Sequence, residues 1–212
     1  MFIVGVSMPF SLSKRLTRGK SWKQSFTHAL KRSFWLLLLG FMLGSKGDTF
    51  YLTNILPQLA FVYVFAFLLL QKDTKWQLAV SFAVILISDL LYQFWAVEGY
   101  NMPYTPDHNF GAWFDMVTVG HLHPDHWVTF NAVPTSAHII WGIFIGKLLM
   151  TDWSQKKKLL IMLSIGIVGI IAGYLLGLYI PMIERVSTSS FVIFSGGWCI
   201  LAMGLSYLFV DI

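Results

Sequence analysis

The sequence is poor in cysteine and in charge. Its single cysteine, Cys199, excludes an internal disulfide and a cysteine-based metal cluster. Only 12% of its 212 residues are charged, which is about half the share of a soluble domain, whereas 56% are hydrophobic. The mean hydropathy is +0.66. This composition argues against a soluble domain with a large core and predicts an integral membrane protein.

The net charge of +5 does not indicate a nucleic-acid partner, because the basic residues cluster in short segments between apolar runs. Basic-rich segments (14–32, 72–75 and 147–158) alternate with basic-poor ones (45–51, 98–131 and 181–189). By the positive-inside rule, the basic segments are predicted to be cytoplasmic. Residues 98–131 then form a polar loop on the periplasmic side of a bacterial inner membrane, or on the luminal side of a eukaryotic membrane.

The apolar runs predict an all-α polytopic transmembrane helix bundle, with about six full spans and one partial N-terminal span. A full span takes about 20 residues. The predicted spans are 26–44, 52–71, 76–97, 132–150, 159–180 and 190–210, and the whole chain, 1–212, is predicted as one membrane domain. In the span 159–180, Gly169, Gly173 and Gly177 repeat every fourth residue and predict a close-packing face for a neighbouring helix. Residues 1–13 are too short to span, so we expect Met1 to be an internal methionine of a longer parent chain.

One segment, residues 100–135, gathers most of the polar chemistry and is called the polar island below. Five of the six histidines lie in it or just after it, and it contains no Lys or Arg. His121, His123, Asp125 and His126 fit H-x-H-x-D-H, which is the zinc signature of metallo-β-lactamase-fold hydrolases. That signature needs a sheet and distant ligands, neither of which is predicted here, so no metal is predicted. A simple structural metal and a polar loop without metal both remain open.

Three ionisable residues stand out by their apolar surroundings. Asp115 follows an apolar stretch and is predicted either to transfer protons or to serve as an ordinary loop acid or helix cap. His138 lies two turns into a span, where ligand contact and interhelical hydrogen bonding are comparable interpretations. Asp89, near the middle of another span, is a functional candidate whose alternative is a structural ion pair with an unseen helix.

The wording of four segments resembles one family. These segments are FIVGVSMPFSLSKRL at the start, GDTFYLTNILPQLAFVYVFAFLL, the island NFGAWFD…HPDHWVTFNAVPTSAHIIWGIFIGKLL, and TSSFVIFSGGWCILAMGLSYLFVD at the end. Together they resemble bacterial membrane proteins similar to heparan-α-glucosaminide N-acetyltransferase. The likeness covers nearly the whole chain, and its most specific parts are the FIVGVSMPFS opening and the SSF-x(4)-GGW ending.

The resemblance implies an enzyme that takes acetyl from cytosolic acetyl-CoA and delivers it to an amino sugar or glycan on the opposite membrane face. The family's catalytic His lies upstream of the residues matched by Met1, so none of the histidines here takes that role. Asp115, His126 and His138 are our remaining catalytic candidates. Side chains of the island are predicted to stack on and hydrogen-bond a sugar: Trp113, His121, His123, Asp125 and Asn131.

Lys14, Arg15 and Arg18 are predicted to hold the phosphates of acetyl-CoA, with orientation in an anionic membrane as the ordinary alternative. Membrane lipid and a glycan acceptor are the predicted partners, and self-association stays open. Two rival interpretations remain, a transporter-like protein and a truncated, non-catalytic membrane protein. Internal two-fold repeat symmetry would favour the transporter.

Overall fold

The computed structural model of the chain describes residues 1–46 and 49–211. These residues form eight α-helices, one short 3-10 helix and one pair of two-residue antiparallel strands. The helices are α1 Phe2–Thr17, α2 Trp22–Gly44, α3 Ile55–Leu69, α4 Thr74–Phe94, α5 Phe110–Thr118, α6 Ala132–Leu149, α7 Gln155–Leu176 and α8 Ser189–Asp211; the 3-10 helix is Thr129–Asn131, and the strands are β1 Ser45–Lys46 and β2 Thr49–Phe50.

The predicted all-α membrane bundle is confirmed. Within the described ranges, four helical stretches are long and apolar enough to cross a bilayer. They are α4, α7, α8 and the continuous stretch Thr129–Leu149, which contains α6. The outward faces of these helices are apolar, with Val168 64% exposed and Phe82 55% exposed. Contiguous apolar patches of this kind are rare on soluble monomers, so these faces fit lipid.

Two predicted spans differ from the structure. The predicted span 52–71 contains only the 15-residue helix α3, because Asn54 caps its start by accepting a hydrogen bond from Leu56 N–H at 3.0 Å. The helix α2 has 23 residues, but Lys23, Lys31 and Arg32 lie in its first half. Four apolar stretches of full length are therefore observed among the described residues where six spans were predicted.

The helix α6 is the centre of the bundle, with Ile139, Ile140 and Ile143 fully buried. It packs directly against α1 because glycines replace side chains at the crossing. A methyl group added at Gly142 would lie 2.2 Å from the Phe2 carbonyl oxygen, and one added at Gly5 would lie 2.1 Å from the Ile139 carbonyl oxygen. Small residues allow this backbone-to-backbone contact.

The glycine face predicted on α7 packs against α8. A methyl group on Gly173 would lie 2.4 Å from Phe194 N, and one on Gly169 would lie 3.0 Å from Gly197 Cα. Gly177, the third glycine of the repeat, faces Met182 in the following loop instead. The GGW ending has a related role, because Gly196 leaves room for the Trp141 ring, and Gly197 for the α7 backbone.

The chain crosses the bundle so that the basic segments meet at one end. Lys147 Nζ at the end of α6 donates to Lys72 O at 2.9 Å, and Lys158 Nζ donates to Leu149 O at 2.8 Å. Gln155 at the start of α7 donates to Asp211 O at the end of α8 at 3.1 Å. The polar island lies at the other end, where α3, α6 and α8 begin and α2 and α4 finish.

Candidate functional site

The polar island is a folded cap rather than an open loop. Asn109 caps α5 by accepting a hydrogen bond from Ala112 N–H at 3.1 Å. Aromatic rings then pack α5 onto the end of α4: the Phe110 ring lies 4.8 Å from that of Trp95 and 4.7 Å from that of Phe130. Trp113 belongs to this cluster, with its ring 4.4 Å from Trp95. The structure thus places Trp113 in the packing of the cap, outside the lining of the cavity described next.

A cavity of about 640 Å³ opens under this cap, among α1, α2, α3, α6 and α8. Its volume is typical of small-molecule sites. Its walls are apolar on the α1, α2 and α8 side, where Phe2, Leu43 and Phe191 contribute. Its principal polar side chains are Tyr51, Gln58, His123, Asn131, His138 and Glu184. Among the described residues that line this cavity, none is Lys or Arg.

His138 lies in the cavity wall, and its ring is fixed by hydrogen bonds. Its Nε2 lies 3.0 Å from the Val192 carbonyl oxygen, which can only accept, so Nε2 carries the proton. Ser195 Oγ lies 3.1 Å from the same nitrogen and donates its own proton to the Phe191 carbonyl oxygen. These bonds from α8 fix the ring and leave Nδ1 as its unprotonated nitrogen. His138 thus makes an interhelical hydrogen bond and also lies in the cavity wall.

Asn131 is a second polar residue of the cavity wall. Its side chain is 2% exposed, and its Nδ2 donates to Arg185 O at 3.3 Å. Its Oδ1 is buried and has no hydrogen-bond partner. This oxygen is closed off from solvent, so the described contacts of Asn131 hold its side chain against the 181–188 loop. Together with His138 and Glu184, Asn131 gives the cavity a polar wall.

Asp115 lies on α5, outside the spans, beside the cavity rather than in its wall. The side chain is 3% exposed, and both carboxylate oxygens accept from Thr129 N–H, at 3.1 and 3.0 Å. Burial raises the pKa of Asp115 to about 6, while the Thr129 hydrogen bonds and the nearby His121 act in the opposite direction. The residue is therefore held by the start of the 3-10 helix and titrates close to neutral pH.

The H-x-H-x-D-H segment divides between two sites. His121 and His123 both pack against the Tyr51 ring in a T-shaped arrangement, at 5.1 and 4.7 Å between ring centroids. His123 Nδ1 accepts from Asp125 N–H at 3.1 Å, and the Asp125 side chain is 70% exposed. His123 lines the cavity and His121 does not.

His126 turns away from the other histidines. Its backbone is left-handed, with φ of 60°, and its Nδ1 lies 2.7 Å from Asp107 Oδ2. Asp107 is also left-handed, with φ of 63°. In the parts of the chain that the structure describes, no three His, Cys, Asp or Glu side chains are grouped to hold a metal ion.

The basic cluster lies at the opposite end of α1 from the cavity. Lys14, Arg15 and Arg18 border a hollow of about 330 Å³ together with Lys20. An apolar groove of about 390 Å³ runs along another side of the same helix end and is lined by residues such as Leu12. Phe2 and Lys14 are 12 residues apart on α1, which corresponds to roughly 18 Å along the axis.

Asp89 has a structural partner that the sequence could not name. Its Oδ1 accepts a hydrogen bond from Ser189 N–H at 3.3 Å, at the first residue of α8. A carboxylate at a helix N-terminus is stabilised by the unpaired N–H groups there. The partner of Asp89 from another helix is thus a backbone N–H rather than the charged group of the expected ion pair.

Sequence reasoning missed several residues of the cavity, above all Tyr51, Glu184 and Ser195. Ser195 had a signal, because it lies in the SSF-x(4)-GGW segment and directly before the glycines that pack α8. Tyr51 and Glu184 had none, since they come from short loops whose approach to the island depends on tertiary packing. The chain matches no protein-family model and no curated protein.

Proposed function

We propose that the chain is an integral membrane acyltransferase that moves an acetyl group from acetyl-CoA to an amino sugar or related glycan. The observation that carries this proposal is the polar wall of the cavity: Asn131, His138 and Glu184 line one space, and none of its described lining residues is Lys or Arg. A ligand with several N–H and O–H donors suits such a wall. The family resemblance of the sequence supports the same substrate class.

The residues of the cavity have definable tasks in this reaction. An acceptor amine attacks a thioester carbonyl only when it is neutral, so its proton must be taken up. In this proposal the unprotonated His138 Nδ1 acts as the general base. The Glu184 carboxylate attracts the acceptor amine while that amine is still protonated. Trp127 and Tyr51 are aromatic residues of the cavity wall that contact the sugar in this proposal.

Acetyl-CoA binds, in this proposal, at the basic end of the bundle. Lys14, Arg15 and Arg18 contact its phosphates, and the apolar groove along α1 receives its pantetheine arm. The basic end faces the cytoplasm of a bacterial inner membrane and the polar island faces the periplasm. The positive-inside rule supports this orientation.

The test is transfer of labelled acetyl from acetyl-CoA to glucosamine and other amino sugars by membranes that contain the full chain. We expect labelled product, and we expect His138→Ala to lower its rate at least about tenfold, since positioned general bases contribute roughly 10²–10⁴-fold. His108→Ala is the matched control, because His108 is exposed and its Nδ1 bonds Gly99 O in the cap. No labelled product across the acceptor panel would refute the proposal.

A further inference from the structure

A second, much smaller space lies next to the cavity. Its volume is about 10 Å³, which is close to what one water molecule needs. We call it the chamber. Its principal polar side chains are those of Tyr51, Thr53, Asp115, His121, His123 and Thr129. The chamber is thus bordered largely by groups that form hydrogen bonds, in contrast to the dry apolar gaps that proteins leave empty.

Two groups of the chamber have unused hydrogen-bonding capacity. His121 Nε2 is buried and has no partner. Asp115 accepts from the backbone N–H and from the side chain of Thr129, and a carboxylate has about four acceptor positions, so some remain open. Buried polar atoms without a protein partner are commonly satisfied by an ordered water. A water in the chamber would satisfy both groups at once.

Asp115 is surrounded by groups that can titrate but carry no fixed charge. His121 lies close enough to favour its ionised form, and His123 and Tyr51 complete the chamber. On the other side, the hydroxyl of Tyr92 on α4 is buried without a partner and faces α5 at Gly111. Burial places the pKa of Asp115 at about 6, so the carboxyl gains and loses its proton near neutral pH.

The chamber is adjacent to the cavity. Three residues, Tyr51, Thr53 and His123, line both spaces. The imidazoles of His121 and His123 both contact one ring, that of Tyr51. His123 and Tyr51 therefore border both the cavity and the chamber that Asp115 lines.

We propose that one ordered water occupies the chamber, bridging Asp115 and His121, and that this group exchanges protons with the cavity at His123. Asp115 is the proton store, and His121 positions the water. The site does not depend on any particular acceptor for its existence. Its role in turnover rests on the proposed acetyl transfer.

In that reaction the proton balance requires such a store. An ammonium acceptor and a thioester give an amide, a thiol and one free proton: the N–C bond forms, the C–S bond breaks, and the thiolate takes one of the two protons lost by nitrogen. The other proton must leave the cavity. An ionised Asp115 accepts it through the chamber water and later releases it to solvent, so the group is unchanged over a cycle.

The first experiment does not require activity. A high-resolution structure of the full chain should show water density within hydrogen-bond distance of both His121 Nε2 and an Asp115 oxygen. Infrared spectroscopy should show a protonated carboxyl band that disappears on raising the pH through about 6. Asp115→Asn should remove the band, and Asp89→Asn, which changes the other carboxyl in contact with a helix N-terminus, should leave that titration in place.

His121→Phe tests the link between the two groups. Its ring fills the site of the imidazole but offers no hydrogen bond and no charge, so the midpoint of the Asp115 band should move to higher pH. A dry chamber, or a midpoint that His121→Phe does not move, would overturn the proposal. Asp115→Glu keeps a carboxyl group at this position, so it should retain a protonated carboxyl band. That result would show that the band comes from the acid at position 115.

The second experiment measures the pH profile of acetyl transfer. The rate should fall below pH about 6 in the natural chain, and Asp115→Asn should remove that limb of the profile. Glu98→Gln, an exposed carboxyl change in the same cap, should retain it. Persistence of the limb in Asp115→Asn would overturn the relay. A failure to detect any acetyl transfer refutes the proposed function, while the water density and infrared titration still decide the chamber.

Discussion

Replacing Asp115 by Asn should stabilise the protein at neutral pH. Burial places the Asp115 pKa at about 6, against an ordinary value of 3.8, so ionising this group costs more in the folded state than in the unfolded state. The difference is about 2 pKa units, and each unit corresponds to about 1.4 kcal/mol. Above pH 6 the folded protein therefore carries a cost of about 3 kcal/mol that an uncharged amide does not have.

The direction of the pH dependence follows from proton binding. Between pH 3.8 and 6 the folded state holds more protons on Asp115 than the unfolded state, so the natural chain loses stability as the pH rises through this window. Asn does not titrate and removes this loss. It keeps one oxygen for Thr129 N–H, and we allow about 1 kcal/mol for its imperfect fit as a hydrogen-bonding partner.

The net gain above pH 6 is then about 2 kcal/mol, which corresponds to about 4–8 °C in thermal midpoint for a chain of this size. This shift is measured by heating the protein in detergent at pH 4, 6 and 8 and recording the fraction that stays monodisperse. The stabilisation should be present at pH 8 and absent at pH 4. Glu98→Gln, in the same cap but exposed, should show neither effect. If Asp115→Asn were equally destabilised at pH 4 and pH 8, the carboxyl would not be held at a cost and the reasoning would fail.

Two packing predictions use the same unfolding assay. Gly142→Ala should lower stability by about 1–3 kcal/mol, because its methyl group would lie 2.2 Å from the α1 backbone. Gly204→Ala, whose methyl group would lie 3.2 Å from a side-chain atom, should lower stability less. Equal losses would contradict the α1–α6 contact. Trp141→Phe should cost about 1–3 kcal/mol, since Trp141 Nε1 donates to the buried Ser81 Oγ at 3.0 Å, and the double variant with Ser81→Ala should cost less than the sum of the two single changes.

The fold class was readable from the sequence because a charge-poor chain with long apolar runs can bury them in little else than a bilayer. The extent of individual helices was less readable. The run 52–71 is apolar throughout, but the Asn54 side chain starts the helix at Ile55, and hydropathy does not register a cap. The glycine repeat on α7 correctly predicted a helix-packing face at Gly169 and Gly173. These two glycines lie four residues apart, and both contact α8.

The site was harder to predict, because polar residues close in sequence do not share a face in an irregular segment. Left-handed backbone at His126 directs its ring to Asp107, away from His121 and His123, which pack on Tyr51 from a different loop. The spacing of the H-x-H-x-D-H motif contains no information about that turn. Asp115 was recognisable by its apolar flanks, but its contact with Thr129 depends on how the cap closes.

The proposed transfer requires above all that the polar island and the basic end lie on opposite sides of a membrane. Cysteine labelling tests this in intact cells, in a Cys199→Ser background that removes the natural thiol. Asp125→Cys reports on the island and Lys156→Cys on the basic end, and both positions are exposed. A membrane-impermeant maleimide should label Asp125→Cys before lysis and Lys156→Cys only after it. Labelling of both before lysis, or of Lys156→Cys alone, would contradict the two-sided arrangement.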